Sequence, residues 1–137
     1  MEEYTVKEFK DYFLVNKIKV HWGCKLLPEG FEAITLFGHI SDVRPKDELK
    51  EFLNTEYGKR MVNHERIHML QAESFKTKYF GFYLVYLWYW IIGLFKFGVK
   101  ENASYYNIPF EREAYKNEQN FEYNESHWKD YRQGKSS

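Results

Sequence analysis

The sequence predicts an α+β fold, and three observations carry that prediction. KIKVHW (Lys17–Trp22) alternates apolar and polar residues. FEAITLFGHI (Phe31–Ile40) is dense in aromatic and β-branched residues. From Pro45 onward apolar residues recur at helical spacing.

Taken in order, Val6 to Val15 reads as a short helix, because Val6, Phe9, Phe13 and Leu14 fall near one face. KIKVHW follows as a half-buried strand, with Ile18, Val20 and Trp22 on one side and Lys17, Lys19 and His21 on the other. Pro28-Glu29-Gly30 supplies turn chemistry, so FEAITLFGHI becomes the second strand of a long hairpin. Pro45 suits the first turn of a helix running through DELKEFLNTEY to Gly58, and a second helix covers about Lys59 to Lys78. KFGVKENASYYN reads as a loop. Asn107-Ile108-Pro109 then opens a last helix through about Tyr131. No linker or repeat divides the chain, and one domain over 1–137 is expected.

A chain of 137 residues is long enough to bury a core without staples. Its 20 Lys+Arg balance 20 Asp+Glu with neither sign massed in one half, which argues against nucleic acid as a partner. The 12 Phe, 12 Tyr and 4 Trp outnumber Leu, Ile and Val together, so packing by rings is expected. Cys24 is the single cysteine and reads as a small buried hydrophobe. An intramolecular disulfide and any multi-cysteine zinc site are excluded. The N-terminal MEEYTVKEFK is acidic where a signal peptide is basic, so a cytoplasmic protein is expected.

The stretch Tyr79–Phe95 carries no charge between Lys78 and Lys96. As a helix it spans roughly 25 Å, short of the ~30 Å hydrocarbon thickness. Tyr79, Tyr83 and Tyr86 form a hydroxyl-bearing stripe, which favours a buried helix whose aliphatic face, Leu84, Leu87, Ile91 and Leu94, packs inward. A helix lying on a membrane surface is the other reading of the same segment.

The chemistry sits in NHERIHMLQAE. His64-Glu65-Arg66-Ile67-His68 is an H-E-x-x-H pattern within a predicted helix. Four residues advance a helix by about 6 Å and 400°, so both imidazoles reach one ion, with Glu65 turned about 100° to one side. That offset suits Glu65 to take a proton from metal-bound water as general base. Zinc in a catalytic site commonly takes three protein ligands, and two His plus one Glu is a known set. The segment IPFEREAYKNEQ offers Glu111 and Glu113 near the first turn of a later helix as the third ligand.

With both segments in hand, the chain resembles the gluzincin branch of zinc metallopeptidases, in which a glutamate on a later helix completes the H-E-x-x-H site. In several such families that helix carries E-x-x-A followed by Asp or Asn. Here Glu111-Arg112-Glu113-Ala114-Tyr115 aligns Glu111 with the ligand and Ala114 with the small residue, leaving Glu113 as the alternative. The similarity runs from about Gly30 to Asn120. It implies a zincin-like domain with a β-hairpin packed on the H-E-x-x-H helix and the ligand helix. It also implies one Zn²⁺ on His64, His68 and Glu111, Glu65 as catalytic base, and a peptide or protein substrate. Two positions depart from the pattern. Tyr115 replaces the acid or amide, and Arg66 is charged where active peptidases are usually uncharged. Arg66 leaves a second expectation standing, a zinc-binding interaction or regulatory domain without peptidase activity. A third is a metallopeptidase working at a membrane surface.

Among the remaining residues, Gln71, one turn beyond His68, reads as a surface or helix-contact residue, with support of the metal ligands as the alternative. His21, His39 and His127 are isolated in sequence. One of these, or Tyr105 or Tyr106, is available to stabilise an oxyanion.

Overall fold

Alternating and β-branched segments near the N-terminus form strands, and the later helical segments build an aromatic core. A computed structural model describes residues 11–15, 17–24 and 33–132. The chain divides into two compact units, Met1–Arg66 and Ile67–Ser137, and the division falls inside one continuous helix.

The first unit holds strands β1 (Asp11–Val15), β2 (Ile18–Trp22), β3 (Ala33–Leu36) and β4 (His39–Asp42) in one sheet of order β1-β2-β4-β3. The expected helix over Val6 to Val15 is corrected here. Asp11–Val15 is a strand paired antiparallel to β2, with Phe13 opposite Val20, while Val6 and Phe9 lie outside the described residues. Phe13 fits a helical stripe and a strand equally well, and the hairpin with β2 decides between them.

The long hairpin is also corrected. The described part of that segment, Ala33–Ile40, is not one strand, because β3 and β4 pair antiparallel with each other, and β2 pairs parallel with β4. Between them Phe37 (φ 53°) and Gly38 (φ 79°) both have positive φ, the conformation of a two-residue hairpin turn that normally calls for Asn-Gly. A phenylalanine in that position hides the turn from sequence reading. Pro28-Glu29-Gly30 lies outside the described residues.

Helix α1 (Lys46–Leu53) follows Pro45, which stands just before its first residue. Asp42 is fully buried at the end of β4 and accepts from the Arg44 backbone N–H and guanidinium, both at 2.8 Å. The same guanidinium lies 4.3 Å from the centre of the Phe52 ring, tying the sheet's exit to α1. Helix α2 (Glu56–Glu73) begins before Gly58 instead of after it. A Cβ at Gly58 would stand 2.1 Å from the Phe52 carbonyl oxygen, so the glycine permits close approach of the two helices and does not terminate either.

The second unit holds the rest of α2, then α3 (Tyr79–Phe97), a 3₁₀ turn (Lys100–Asn102), α4 (Ala103–Tyr106), α5 (Pro109–Asn117) and a 3₁₀ turn (Trp128–Tyr131). Its core is built of Ala72, Phe82, Ile108, Phe110 and Trp128. Phe110 lies 4.7 Å, centre to centre, from both Phe82 and Trp128, in tilted and edge-on arrangements that aromatic quadrupoles favour. The last helix stops at Asn117, well short of Tyr131. Beyond it lies an Asn-rich stretch that competes for backbone bonds, as where Asn120 Oδ1 accepts from the Glu122 N–H.

Helix α3 reverses the expected orientation. Tyr79, Tyr83, Tyr86 and Tyr89 pack against the core beside buried Phe82, whereas Leu84 (54%), Leu87 (50%) and Ile91 (37%) are exposed. Ring-on-ring contact with Phe110 and Trp128, together with a hydroxyl partner for Tyr86, wins over burial of the aliphatic stripe. Leu87→Glu therefore leaves stability within about 0.5 kcal/mol of wild type, where burial of that residue would have made it severe. Thermal denaturation of the variant measures the difference.

Candidate metal centre

Helix α2 is continuous through His64, Glu65 and His68, so one turn separates the two imidazoles. His64 is buried and His68 partly so. Pro109 opens α5 and places Glu111 and Glu113 in its first turns, both buried. One ligand atom from each of His64, His68 and Glu111 lies within 4.8 Å of the others. His68 Nε2 is 3.2 Å from Glu111 Oε1.

The surroundings decide which nitrogen of His68 is offered. Gln71, fully buried one turn further along α2, donates its amide N–H groups to the Phe110 carbonyl (2.9 Å) and to Glu113 Oε1 (2.8 Å). Both partners only accept, which fixes the amide's orientation and turns its Oε1 towards His68 Nδ1 at 2.7 Å. That oxygen requires a proton on Nδ1. Nε2, the nitrogen left for a metal, therefore faces Glu111, the arrangement that orients a ligating histidine. On the other side Tyr86 donates its hydroxyl to Glu111 Oε2 at 2.6 Å, leaving Oε1 facing His68.

Glu113 is engaged elsewhere. It is fully buried and accepts from Gln71, the Tyr123 hydroxyl, the Ser126 hydroxyl (2.8 Å) and the His127 backbone N–H. Burial and this bond to Glu113 push the Tyr123 hydroxyl's pKa upward. Two residues apart on a helix, Glu111 and Glu113 are rotated by about 200° from each other, so one faces the histidines and the other the C-terminal loop.

Of the other residues singled out in the sequence, Glu65 is half-buried on α2. Arg66 turns back along the helix and donates Nε–H to Asn63 Oδ1 at 2.9 Å, and burial lowers its pKa. Tyr115 meets Tyr105 hydroxyl to hydroxyl at 3.2 Å. Burial, with the Glu111 charge adding to it, raises both phenol pKa values, and one of the two hydroxyls donates to the other. Tyr106 is half-exposed and stacks edge-on to Tyr105. His21 and His39 are not isolated, because His21 Nε2 lies 2.8 Å from His39 Nδ1 across the β2/β4 pair. Burial, then the charge of His39 for His21, and Lys19 for both, lower their pKa values. His127 is exposed at its side chain and takes part through its backbone. Cys24 is buried.

Sequence reasoning passed over Tyr86 as part of this site and held support of the metal ligands by Gln71 only as an alternative. Gln71 had a usable signal, since it follows His68 by three residues on the same helix face. The link from Tyr86 to Glu111 spans 25 residues and left no local trace. Comparison with protein families, curated proteins and solved structures finds no match to this chain.

Proposed function

We propose that the chain is a zincin-like metallopeptidase in which His64, His68 and Glu111 hold one Zn²⁺ and Glu65 is the general base. The observation that carries the reading is the convergence of three ligand atoms within 4.8 Å, with His68 and Glu111 each oriented by a dedicated partner. Two imidazoles and a carboxylate fit zinc's preference for nitrogen and oxygen donors and leave a coordination position for water. A bound zinc would polarise the scissile carbonyl and lower the pKa of water towards neutrality.

The chain's own residues do the rest. Gln71 keeps the Nδ1 proton on His68, and Tyr86 holds the carboxylate of Glu111 so that the ligands need little rearrangement. Glu65, beside the ligand pair on α2, would take a proton from the attacking water and pass it to the leaving amine. Of the bonded pair Tyr105 and Tyr115, one phenol donates to the other and the remaining O–H is a donor for a developing oxyanion. The substrate is a peptide or protein.

A peptide-library digest tests this, with wild type beside Glu65→Gln, each with and without a chelator. Cleavage by wild type that the chelator abolishes and the variant loses by about a hundredfold or more supports it. A wild-type protein that binds zinc and cleaves nothing supports the interaction or regulatory reading instead. Equal cleavage by both proteins assigns the activity to a contaminant.

A further inference from the structure

Among the described residues, the outer face of α3 carries a run of large exposed hydrophobic side chains. Phe80 (67%), Leu84 (54%), Leu87 (50%), Trp88 (62%), Ile91 (37%) and Phe95 (89%) are exposed, and their spacing confines them to an arc of roughly 100° on one side of the helix. Only 11% of the helix's most apolar window is buried. Scattered exposed hydrophobes need no explanation, but a contiguous helical stripe of six large ones does.

Lysines bracket this stripe, with one acid beyond them at each end, Glu73 and Glu101. From Ser74 to Lys100 the sequence contains Lys76, Lys78, Lys96 and Lys100 and no acid, although the whole chain has formal net charge +0. All four lysines are exposed, and they bracket the helix at both ends.

We infer that the outer face of α3 seats this chain on an anionic lipid bilayer, with the helix lying in the plane of the headgroups and the lysines at its ends on lipid phosphates. Three arguments select the bilayer as occupant. An apolar helix face flanked by basic residues, with tryptophan at its margin, is the pattern of an interfacial helix. A second copy of the chain fits poorly. Each end of α3 carries two lysines against one flanking acid, Glu73 or Glu101, so parallel and antiparallel pairings alike would bring like net charge together. A spanning helix fits no better. The opposite face of α3 packs on Phe110 and Trp128, and its Tyr86 bonds buried Glu111, contacts that lipid all round the helix would remove. The inference rests on exposure and charge and does not depend on the metal reading.

Vesicle co-sedimentation of the full 137-residue chain tests it, with phosphatidylcholine alone and with phosphatidylcholine plus phosphatidylglycerol as the two surfaces. The expected result is binding to the anionic vesicles that weakens with salt, with the Trp emission shifted to the blue. The combined variant Leu87→Ser, Trp88→Ser and Phe95→Ser should lose about tenfold or more in affinity while keeping its circular dichroism, since all three side chains are exposed. Replacing the four lysines by Gln should cost severalfold per charge and remove the salt dependence. A wild-type chain that stays in the supernatant with both vesicles overturns the inference. So does apolar-variant binding equal to wild type, self-association lost in that variant without lipid binding, or membrane recovery resistant to carbonate, which marks a spanning helix.

Discussion

The sheet and helix α2 each hold two histidines, and the two pairs have opposite surroundings. In the sheet His21 and His39 turn towards each other, Nε2 to Nδ1 at 2.8 Å, so each ring has a nitrogen occupied by the other. On α2 the rings of His64 and His68 stand one turn apart, and Gln71 takes the Nδ1 of His68 while Nε2 faces Glu111. Among the described residues the three-ligand group forms only at α2. Two close histidines do not by themselves make a candidate metal centre. What distinguishes the second pair is a carboxylate on a separate helix and a polar shell that fixes which lone pair is presented.

The largest expected effect follows from that shell. Glu113→Ala leaves the buried amide of Gln71 and the donors of Tyr123, Ser126 and His127 without their acceptor, and should destabilise the second unit by about 3–5 kcal/mol. Thermal denaturation of the metal-free protein reads this directly, and a near-wild-type melting temperature would show that the buried network matters little. Any loss of zinc in this variant would then come through unfolding, whereas Glu111→Ala should weaken zinc by more than about a hundredfold while the fold stays intact. Equilibrium dialysis beside circular dichroism separates the two variants.

A smaller change tests the orienting bonds. Tyr86→Phe removes only the hydroxyl on Glu111, and Gln71→Ala removes the partner of His68 Nδ1. Each should weaken zinc by about 10–100-fold. Affinity unchanged in Tyr86→Phe would mean that Glu111 is held by the fold alone. For Gln71→Ala a parallel loss of stability is also expected, because Gln71 bridges to Phe110 and Glu113.

The smallest effect belongs to the sheet pair and comes through pH. The folded-state pKa values of His21 and His39 are lowered by burial and by nearby positive charge, so the unfolded chain binds protons more readily than the folded one. Their contribution to stability is present above the ordinary histidine value of about 6.5 and is lost progressively as pH falls below it towards the lowered folded values. His39→Gln should flatten that acid-side loss in a melting-temperature series. An unchanged slope would move the pH sensitivity to other groups.

The site was legible to the extent that its chemistry is local. The H-E-x-x-H spacing puts His64, Glu65 and His68 on a helix, and Pro109 marks the start of α5. The choice between Glu111 and Glu113 needed a helix register, because about 200° separates them on α5 and either could face α2 on spacing alone. The bonds from Gln71 to Phe110 and Glu113 join positions 39 and 42 residues apart, a distance over which periodicity says nothing. For the fold, β2 and α2 were readable from pattern. The turn at Phe37-Gly38 was not, because a bulky residue occupies a left-handed position. On α3 the aliphatic face opposite the tyrosine stripe puts Leu84 and Leu87 inside in the sequence reading, and specific ring packing with a hydroxyl bonded to Glu111 puts the tyrosines there instead.

Zinc content of the untagged chain, measured by mass spectrometry after dialysis, bears on the proposed centre with the fewest intermediate assumptions. The arrangement of His64, His68 and Glu111 predicts about one ion per folded chain, retained in Glu65→Gln and lost in the double variant His64→Ala, His68→Ala. A wild-type chain that holds no zinc, or a double variant that holds as much as wild type, would contradict it.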